Sequence, residues 1–370
     1  MKIVSVVGAR PQFVKAAAVS RRLRARHDEI LVHTGQHYDY AMSGVFFEGL
    51  DLPPADVNLG VGSGSHAAQT AAMLTGLEEI VLTERPDWML IYGDTNSTLA
   101  GALAAAKLHV AVAHVEAGLR SFNRSMPEEI NRIVADHLSS LLLCPSHTAV
   151  RNLAAEGITN HVHDVGDVML DVLNWARERS SDAPGLLRRF AITEREYLIV
   201  TLHRSENTDD ASRLASIVDA LNAVDEPIVF PVHPRTRKAI GAAGLQLADH
   251  VRVTEPFSYR EMVALASLAR LVVTDSGGLQ KEAYWLGVPC VTVRQETEWV
   301  ETVDAGWNVL VGADKDRIVR AIRDFEPPRR RLALYGDGAA ADRCIGLLDS
   351  SNGSRSAMSV ETMKVGASHE

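Results

Sequence analysis

The sequence predicts an α/β protein built from two doubly wound domains, and three observations carry that reading. Short runs rich in valine, isoleucine and leucine alternate with longer helix-patterned segments, the signature of βαβ units that assemble a parallel sheet. The chain's 370 residues exceed the length at which a single core stops growing. The unusual polar residues gather at the ends of the apolar runs, where open parallel sheets place their ligands.

The runs fall into two series. In the first, candidate strands end as Val6-Val7-Gly8, Val32-His33-Thr34-Gly35, Ile91-Tyr92-Gly93-Asp94, Ala113-His114-Val115-Glu116, Leu143-Cys144-Pro145-Ser146 and His163-Asp164-Val165-Gly166. In the second they end as Val200-Thr201-Leu202-His203, Phe230-Pro231-Val232-His233, Val253-Thr254-Glu255-Pro256, Val273-Thr274-Asp275-Ser276, Val291-Thr292-Val293-Arg294 and Val309-Leu310-Val311-Gly312. The chain is expected to cross between domains around Gly166 to Asp171, so that the first domain spans 1–168 and the second begins at 169. The polar stretch near Ser180 to Ala183 supports a boundary thereabouts. Residues 350–370 are rich in serine and small side chains without periodicity, and a mobile tail is expected there.

Hydrophobic residues make up 46% of the chain and charged residues 23%, ordinary values for a globular protein, and no apolar run approaches the ~20 residues of a membrane span. The opening Met1 to Gly8 is too short for a signal peptide and reads as the first strand. Cys144, Cys290 and Cys344 are odd in number and far apart, which implies neither a disulfide framework nor a thiolate metal site and fits a reducing cytoplasm. A net charge of −9 argues against a nucleic-acid partner. An anionic ligand would have to find its positive charge in local arginines, lysines and helix N-termini.

Gly8-Ala9-Arg10-Pro11-Gln12-Phe13-Val14-Lys15 follows a strand and opens a helix, with Gly8 suited to the bend and Pro11 to the first turn. Two readings compete: backbone N–H groups that receive an anion beside Arg10 and Lys15, or an ordinary turn with two solvated cations. It is not a dinucleotide fingerprint. Thr274 to Glu282 repeats the arrangement, with Ser276-Gly277-Gly278 at a helix start able to meet a diphosphate and Glu282 placed to accept ribose hydroxyls. Asp94, Glu116 and Glu128 recur at or beyond strand ends. Asp94 has the alternative of capping a helix and Glu128 that of favouring a helix N-terminus, whereas Glu116 follows an apolar run and precedes Gly118 with no helix start in view, so a functional carboxylate is expected there. His203 and His233 end successive strands, which favours a site over two structural histidines. Metal binding, with His33, His37, His161 and His163 as further candidates, is set aside because no recognised ligand motif joins them.

These motifs together resemble the non-hydrolysing UDP-N-acetylglucosamine 2-epimerases, from Lys2 to about Leu348. The resemblance rests on Gly8-Ala9-Arg10-Pro11, Gln36-His37, Gly93-Asp94-Thr95, His114 to Arg120, Pro127-Glu128-Glu129-Ile130-Asn131-Arg132, His203-Arg204, Asp275 to Gly278 with Gln280 and Glu282, and Tyr335-Gly336-Asp337-Gly338. It implies a GT-B-like fold of two Rossmann-type domains with an interdomain cleft, the second domain covering 169–334 and a C-terminal helix at about 335–349 returning to the first. It implies Arg10, Lys15, Asp94, Glu116, Glu128 and His203 around the reacting sugar and diphosphate, and Ser276, Gly277, Gly278 and Glu282 on the diphosphate and ribose. No cofactor or metal is implied, and the implied partners are a UDP-sugar and a second copy of the chain. The sequence departs from the usual pattern in two places. Thr297-Glu298-Trp299-Val300-Glu301 stands where many members have Thr-Glu-Arg-Pro-Glu; members that combine Gly-Ala-Arg-Pro-Gln-Phe with Thr-Glu-Trp-Val-Glu include epimerases acting on UDP-2,3-diacetamido-2,3-dideoxyglucuronate. Several bacterial members carry a second, allosteric nucleotide site involving the Gln-His segment; here Tyr38 and Asp39 follow Gln36-His37 and Gly62 to Ser65 lacks an arginine, so the resemblance does not carry that site over to this chain.

The residue types suit the implied reaction. The C2 hydrogen of such a sugar has no adjacent carbonyl, so departure of UDP is needed to make it acidic. Cations and helix N-termini stabilise the departing diphosphate, and carboxylates on both faces exchange the proton. A glycosyltransferase would share the nucleotide groups but need an acceptor, a hydrolysing epimerase would admit water, and an inactive sensor would have no use for three carboxylates.

Overall fold

The computed structural model describes residues 1–36, 52–179 and 183–351, with the Arg10 side chain outside the description. His37, and all of the tail expected at 350–370 beyond residue 351, lie outside the described residues. The chain divides into two compact units, one of Met1–Val172 with the stretch from Tyr335 onward, the other of Leu173–Leu334.

In the first unit seven strands form one parallel sheet: β1 (Lys2–Val7), β2 (Asp28–His33), β3 (Val57–Asn58), β4 (Trp88–Tyr92), β5 (Ala111–Val115), β6 (Leu141–Cys144) and β7 (Val162–Asp164), in the order β3-β2-β1-β4-β5-β6-β7. Six were legible as apolar runs. The edge strand β3 was not, because its two residues hold one apolar side chain and pair only as Val32 with Val57 and His33 with Asn58. Strands β1, β4 and β5 are covered on both faces and so read as unbroken apolar runs rather than alternating ones. The intervening helices are α1 (Arg10–Leu23), α2 (His66–Glu84), α3 (Asn96–Lys107), α4 (Pro127–Leu138), α5 (His147–Ala155) and α6 (Val168–Arg179). Helix α3 is built of alanine and glycine where it meets the sheet. A Cβ on Gly101 would stand 2.9 Å from Ile91, so small residues are what let the helix lie against β4.

Strand order reverses between β1 and β4, which makes the carboxyl ends of those two strands the ligand end of this sheet. Gly8 and Gly93 follow β1 and β4 directly. The register pairing Tyr92 with Val115 sets Glu116 beside Gly93, and Gly93 N–H donates to the Val115 carbonyl at 3.0 Å.

The chain re-enters this unit where Tyr335-Gly336 meets Gly166. A Cβ on Gly166, which has φ +82°, would stand 2.9 Å from the Tyr335 carbonyl, and Asp167 N–H donates to the same oxygen at 2.9 Å. The closing helix α15 (340–351) is started by the Asp171 carboxylate, which accepts from the N–H groups of Ala340 and Ala341 at 3.2 and 3.0 Å. Ala341, Cys344, Ile345 and Leu348 are buried along it.

The second unit repeats the scheme with β8 (Leu198–Thr201), β9 (Ile228–Pro231), β10 (Val251–Thr254), β11 (Leu271–Thr274), β12 (Cys290–Thr292) and β13 (Asn308–Leu310), all parallel, in the order β10-β9-β8-β11-β12-β13. Its helices are α7 (Ala183–Arg189), α8 (Ser205–Thr208), α9 (Ala211–Asn222), α10 (Pro234–Ala242), α11 (Tyr259–Leu268), α12 (Gly277–Leu286), α13 (Val300–Asp304) and α14 (Lys315–Asp324). Order reverses between β8 and β11, and the pairing of Thr201 with Thr274 brings His203 and Asp275-Ser276 to the same end. The α/β class of two doubly wound parallel sheets is therefore the one read from the sequence. No helix among the described residues is long and apolar enough to cross a membrane.

Candidate active site

In the first unit Lys15, Asp94 and Glu116 converge at the reversal point. Lys15 is buried in the second turn of α1, and its Nζ lies 2.6 Å from Glu116 Oε1. Glu116 is buried too and sits at φ +71°, a left-handed conformation that costs a non-glycine residue about 1–3 kcal/mol and persists only where the surroundings enforce it. Its N–H donates to Leu143 O at 3.1 Å, which continues the ladder one residue past β5 before the chain turns. Burial acts to lower the Lys15 ammonium, but the charges of Glu116 and Asp94, the Glu116 hydrogen bond and the charge of Asp167 outweigh it and hold the group above its ordinary value. The Asp94 carboxylate pairs with Arg132 Nη2, and Arg132 Nη1 is 2.8 Å from Glu129 Oε2. Asp94 does not cap α3; Thr95 does, its hydroxyl accepting from Thr98 N at 3.4 Å.

Two features of the Gly8 to Lys15 segment differ from the anion-cradle reading. The Gly8 and Ala9 N–H groups both donate to Gln12 Oε1, at 2.8 and 3.0 Å, so these donors are already satisfied by the chain itself. Gln12 in turn donates to Tyr92 O at 2.7 Å and Thr98 Oγ1 at 3.0 Å, which ties β1 to β4. Gly8 has a packing reason of its own: a Cβ there would stand 2.1 Å from Ser97 Oγ and 2.2 Å from Thr34 Oγ1. Lys15 likewise is not a solvated cation at a helix terminus but the buried partner of Glu116.

Glu128 is exposed in the first turn of α4 and forms no hydrogen bond or ion pair with Asp94, Glu116 or Lys15. Its neighbour Glu129 is the buried one. Glu129 accepts from the N–H groups of Ser121 and Phe122, both at 2.9 Å, and from Arg132. Arg132, Glu129 and Asn131, which donates to Asp94 O at 2.9 Å, belong to the site's framework and had been read only as parts of a motif. Spacing from Glu129 to Arg132, i to i+3 on one helix face, was the signal available.

In the second unit His203 follows β8 with its ring partly open to solvent, Nδ1 3.2 Å from Asp275 Oδ1. Asp275 is wholly buried. Burial acts to raise its carboxyl, but the hydrogen bond and charge of His203, the Arg204 N–H and the Asn207 amide hold it below the ordinary carboxylate range. The backbone N–H groups of His203 and Arg204 both close on it, at 3.1 and 3.0 Å. Ser276 caps α12, its Oγ 3.5 Å from Leu279 N, while the N–H groups of Gly277 and Gly278 donate to no acceptor among the described residues. Gly277 also has a packing reason, since a Cβ there would stand 2.6 Å from Glu298 Oε1. Glu282 is buried one turn further on and accepts from Tyr259 Oη at 3.0 Å. His233 caps α10, its Nδ1 accepting from Arg235 N at 3.2 Å. Trp299 lies with its ring centroid 3.5 Å from the buried Lys281 ammonium.

Residues 21–349 match the protein family described as UDP-N-acetylglucosamine 2-epimerase. The chain belongs to this family. As a member of the UDP-N-acetylglucosamine 2-epimerase family it is an isomerase of sugar nucleotides. It is 49% identical to the UDP-2,3-diacetamido-2,3-dideoxy-D-glucuronate 2-epimerase of Pseudomonas aeruginosa over 93% of this chain and 98% of that one. It is 42% identical to a UDP-N-acetylglucosamine 2-epimerase of Methanococcus maripaludis over 91% and 95% of the two chains. The crystal structure of the Methanocaldococcus jannaschii UDP-GlcNAc 2-epimerase in complex with UDP-GlcNAc and UDP superposes with a TM-score of 0.88 at 40% identity, covering 95% of this epimerase and all of that chain.

Proposed function

We propose that the chain is a non-hydrolysing epimerase that interconverts UDP-N-acetylglucosamine and UDP-N-acetylmannosamine. The observation that carries this reading is the array of Asp94, Lys15 and Glu116 at the reversal point of the first sheet: carboxylates able to exchange a proton, held around one buried ammonium. A carboxylate takes the C2 proton as the C1–O bond to UDP breaks and its electron pair leaves with the diphosphate. This forms the C1–C2 double bond of 2-acetamidoglucal. A second acid returns a proton to the opposite face of C2 as a UDP oxygen re-forms the bond to C1. Asp94, Glu116 and Glu128 supply the carboxylates. Arg10, Lys15 and His203 meet the charge of the departing diphosphate, Ser276, Gly277 and Gly278 hold it, and Glu282 takes the ribose hydroxyls.

A second reading is favoured by one comparison: identity is higher to the diacetamido-glucuronate enzyme, 49%, than to the M. maripaludis UDP-N-acetylglucosamine enzyme, 42%. In that reading C3 carries an acetamido group and C6 a carboxylate, and the chemistry at C2 is the same. We take the enzyme to act in the cytoplasm as a homodimer, a state that sedimentation equilibrium would test. Incubation with each nucleotide in deuterated water, followed by NMR, tests the function. Deuterium at C2 of product and recovered substrate, without added acceptor, supports epimerisation. Protium retained through many turnovers, or release of free sugar alone, would count against it.

A further inference from the structure

His114 lies in β5 with no exposed surface, and the reaction as written gives it no part. Its Nε2 is 2.7 Å from the Gly93 carbonyl oxygen and its Nδ1 2.7 Å from Asp136 Oδ1. A carbonyl oxygen only accepts, so Nε2 carries a proton. The other nitrogen is settled by what surrounds Asp136. Asp136 Oδ2 accepts from the Gly118 N–H at 3.1 Å and from Arg120 Nη1 at 2.7 Å, the environment of an ionised carboxylate. An ionised carboxylate has no proton to give, so Nδ1 donates as well. Arg120 is itself held by both oxygens of Glu156, at 2.7 and 2.8 Å, which balances two cations against two anions.

We propose that His114 is a buried imidazolium that fixes the Gly93–Asp94 turn and thereby positions the Asp94 and Glu116 carboxylates. The proposal rests on the assignment of those carboxylates to proton transfer. The turn it holds touches the site: a Cβ on Gly93 would stand 3.2 Å from Lys15 Nζ and 3.6 Å from Glu116 Oε1. Because Gly93 N–H also donates to Val115 O, β5 grips the turn at two points, one through its backbone and one through the His114 ring. A neutral imidazole would fill the same space but leave either the Gly93 carbonyl without the ring's donor or Asp136 Oδ1 facing a ring lone pair in a buried setting, where an unmet polar group is costly.

The test uses the whole protein labelled with ¹⁵N-histidine. Correlation spectra of the wild type should show a slowly exchanging proton on each ring nitrogen of one histidine, assigned by through-space contacts to the Gly93 and Val115 backbone. A ring nitrogen at that residue bearing a lone pair would overturn the proposal. In parallel, His114→Gln keeps one N–H for Gly93 and loses the donor to Asp136, so kcat should fall roughly 10- to 100-fold through misplacement of the site. KM and the affinity for UDP should stay within about twofold, because neither depends on the turn's placement of proton-transfer groups. Unchanged kcat would overturn the positioning role. Should His114→Gln fail to fold, the wild-type spectrum still decides. An enzyme that exchanges no C2 hydrogen in either nucleotide removes the reading on which the role rests, and the proposal falls with it. A neutral His114 in an active enzyme overturns the proposal alone.

Discussion

Glu116 joins a left-handed backbone to a carboxylate 2.6 Å from a buried ammonium, and each constraint supports the other. Removing the Lys15 charge by Lys15→Met would break a buried ion pair and take from Glu116 the ammonium it contacts, at a cost of roughly 3–5 kcal/mol, whereas Lys15→Met combined with Glu116→Gln should recover much of it. Urea unfolding of the two single variants and the double variant measures this coupling; additive costs would show that the pair is not the organising contact. Asp94→Asn and Glu116→Gln, which change charge but hardly shape, should each lower epimerisation by ~10²-fold or more. Near-normal turnover in both would remove them from the chemistry. Glu128 offers a sharper contrast, since it is exposed and outside the Asp94–Arg132–Glu129 contacts. Glu128→Gln should therefore cut turnover while leaving the unfolding midpoint unchanged.

At the scale of elements, two helix starts do different things with similar sequences. The start of α1 closes on itself through Gln12, and at the start of α12 the Gly277 and Gly278 N–H groups meet no acceptor among the described residues beyond the Ser276 cap. Ser276→Ala should cost ~1 kcal/mol of stability as a lost cap and weaken UDP binding as well. Calorimetry with free UDP separates the two effects, and unchanged affinity would move the diphosphate elsewhere. The turn after β5 is held by a different constraint. Gly118 has φ +80°, and a Cβ there would stand 2.5 Å from Ala149 O in α5. Gly118→Ala should destabilise by more than ~2 kcal/mol, conformational strain alone contributing about 1–3 kcal/mol.

For the whole molecule, buried ionised groups set the pH range of stability. Asp275 has its carboxyl depressed below 3.8 in the folded state, so its contribution is present above that value and is lost as pH falls through the folded value. Lys15 is raised above 10.5, so its contribution is present below that value and is lost as pH rises through the folded one. Asp171 works against the first trend, because burial raises its carboxyl. Urea midpoints should therefore hold steady near neutrality and fall in acid, and Asp275→Asn should flatten the acid limb. A parallel limb in the variant would assign the loss to other groups. The thiols give a separate check. Burial pushes Cys290 up to about 12 and raises Cys144 and Cys344 as well, so alkylation of the native protein at pH 8 should leave all three unmodified by mass spectrometry, and unfolding should expose them.

The sequence by itself determined the class of fold and the residues at the ends of its strands. Apolar runs of strand length, alternating with helix-length segments, leave a parallel sheet as the arrangement that buries both faces of each strand, and β1, β4 and β8 are of this kind. It also singled out Asp94, Glu116, Ser276 and Glu282 as candidates, because turn glycines and isolated polar residues stand out against apolar runs. It did not show that Gln12 occupies the Gly8 and Ala9 donors, that Arg132 rather than solvent meets Asp94, or that His233 caps a helix. The first and third are contacts within a single turn, set by side-chain geometry that the pattern of residue types does not record; the Arg132–Asp94 and Lys15–Glu116 pairs join residues 38 and 101 positions apart in the chain. Local pattern records which groups each strand delivers to its end. Strand order and register, fixed by the packing of the whole sheet, decide which of them meet.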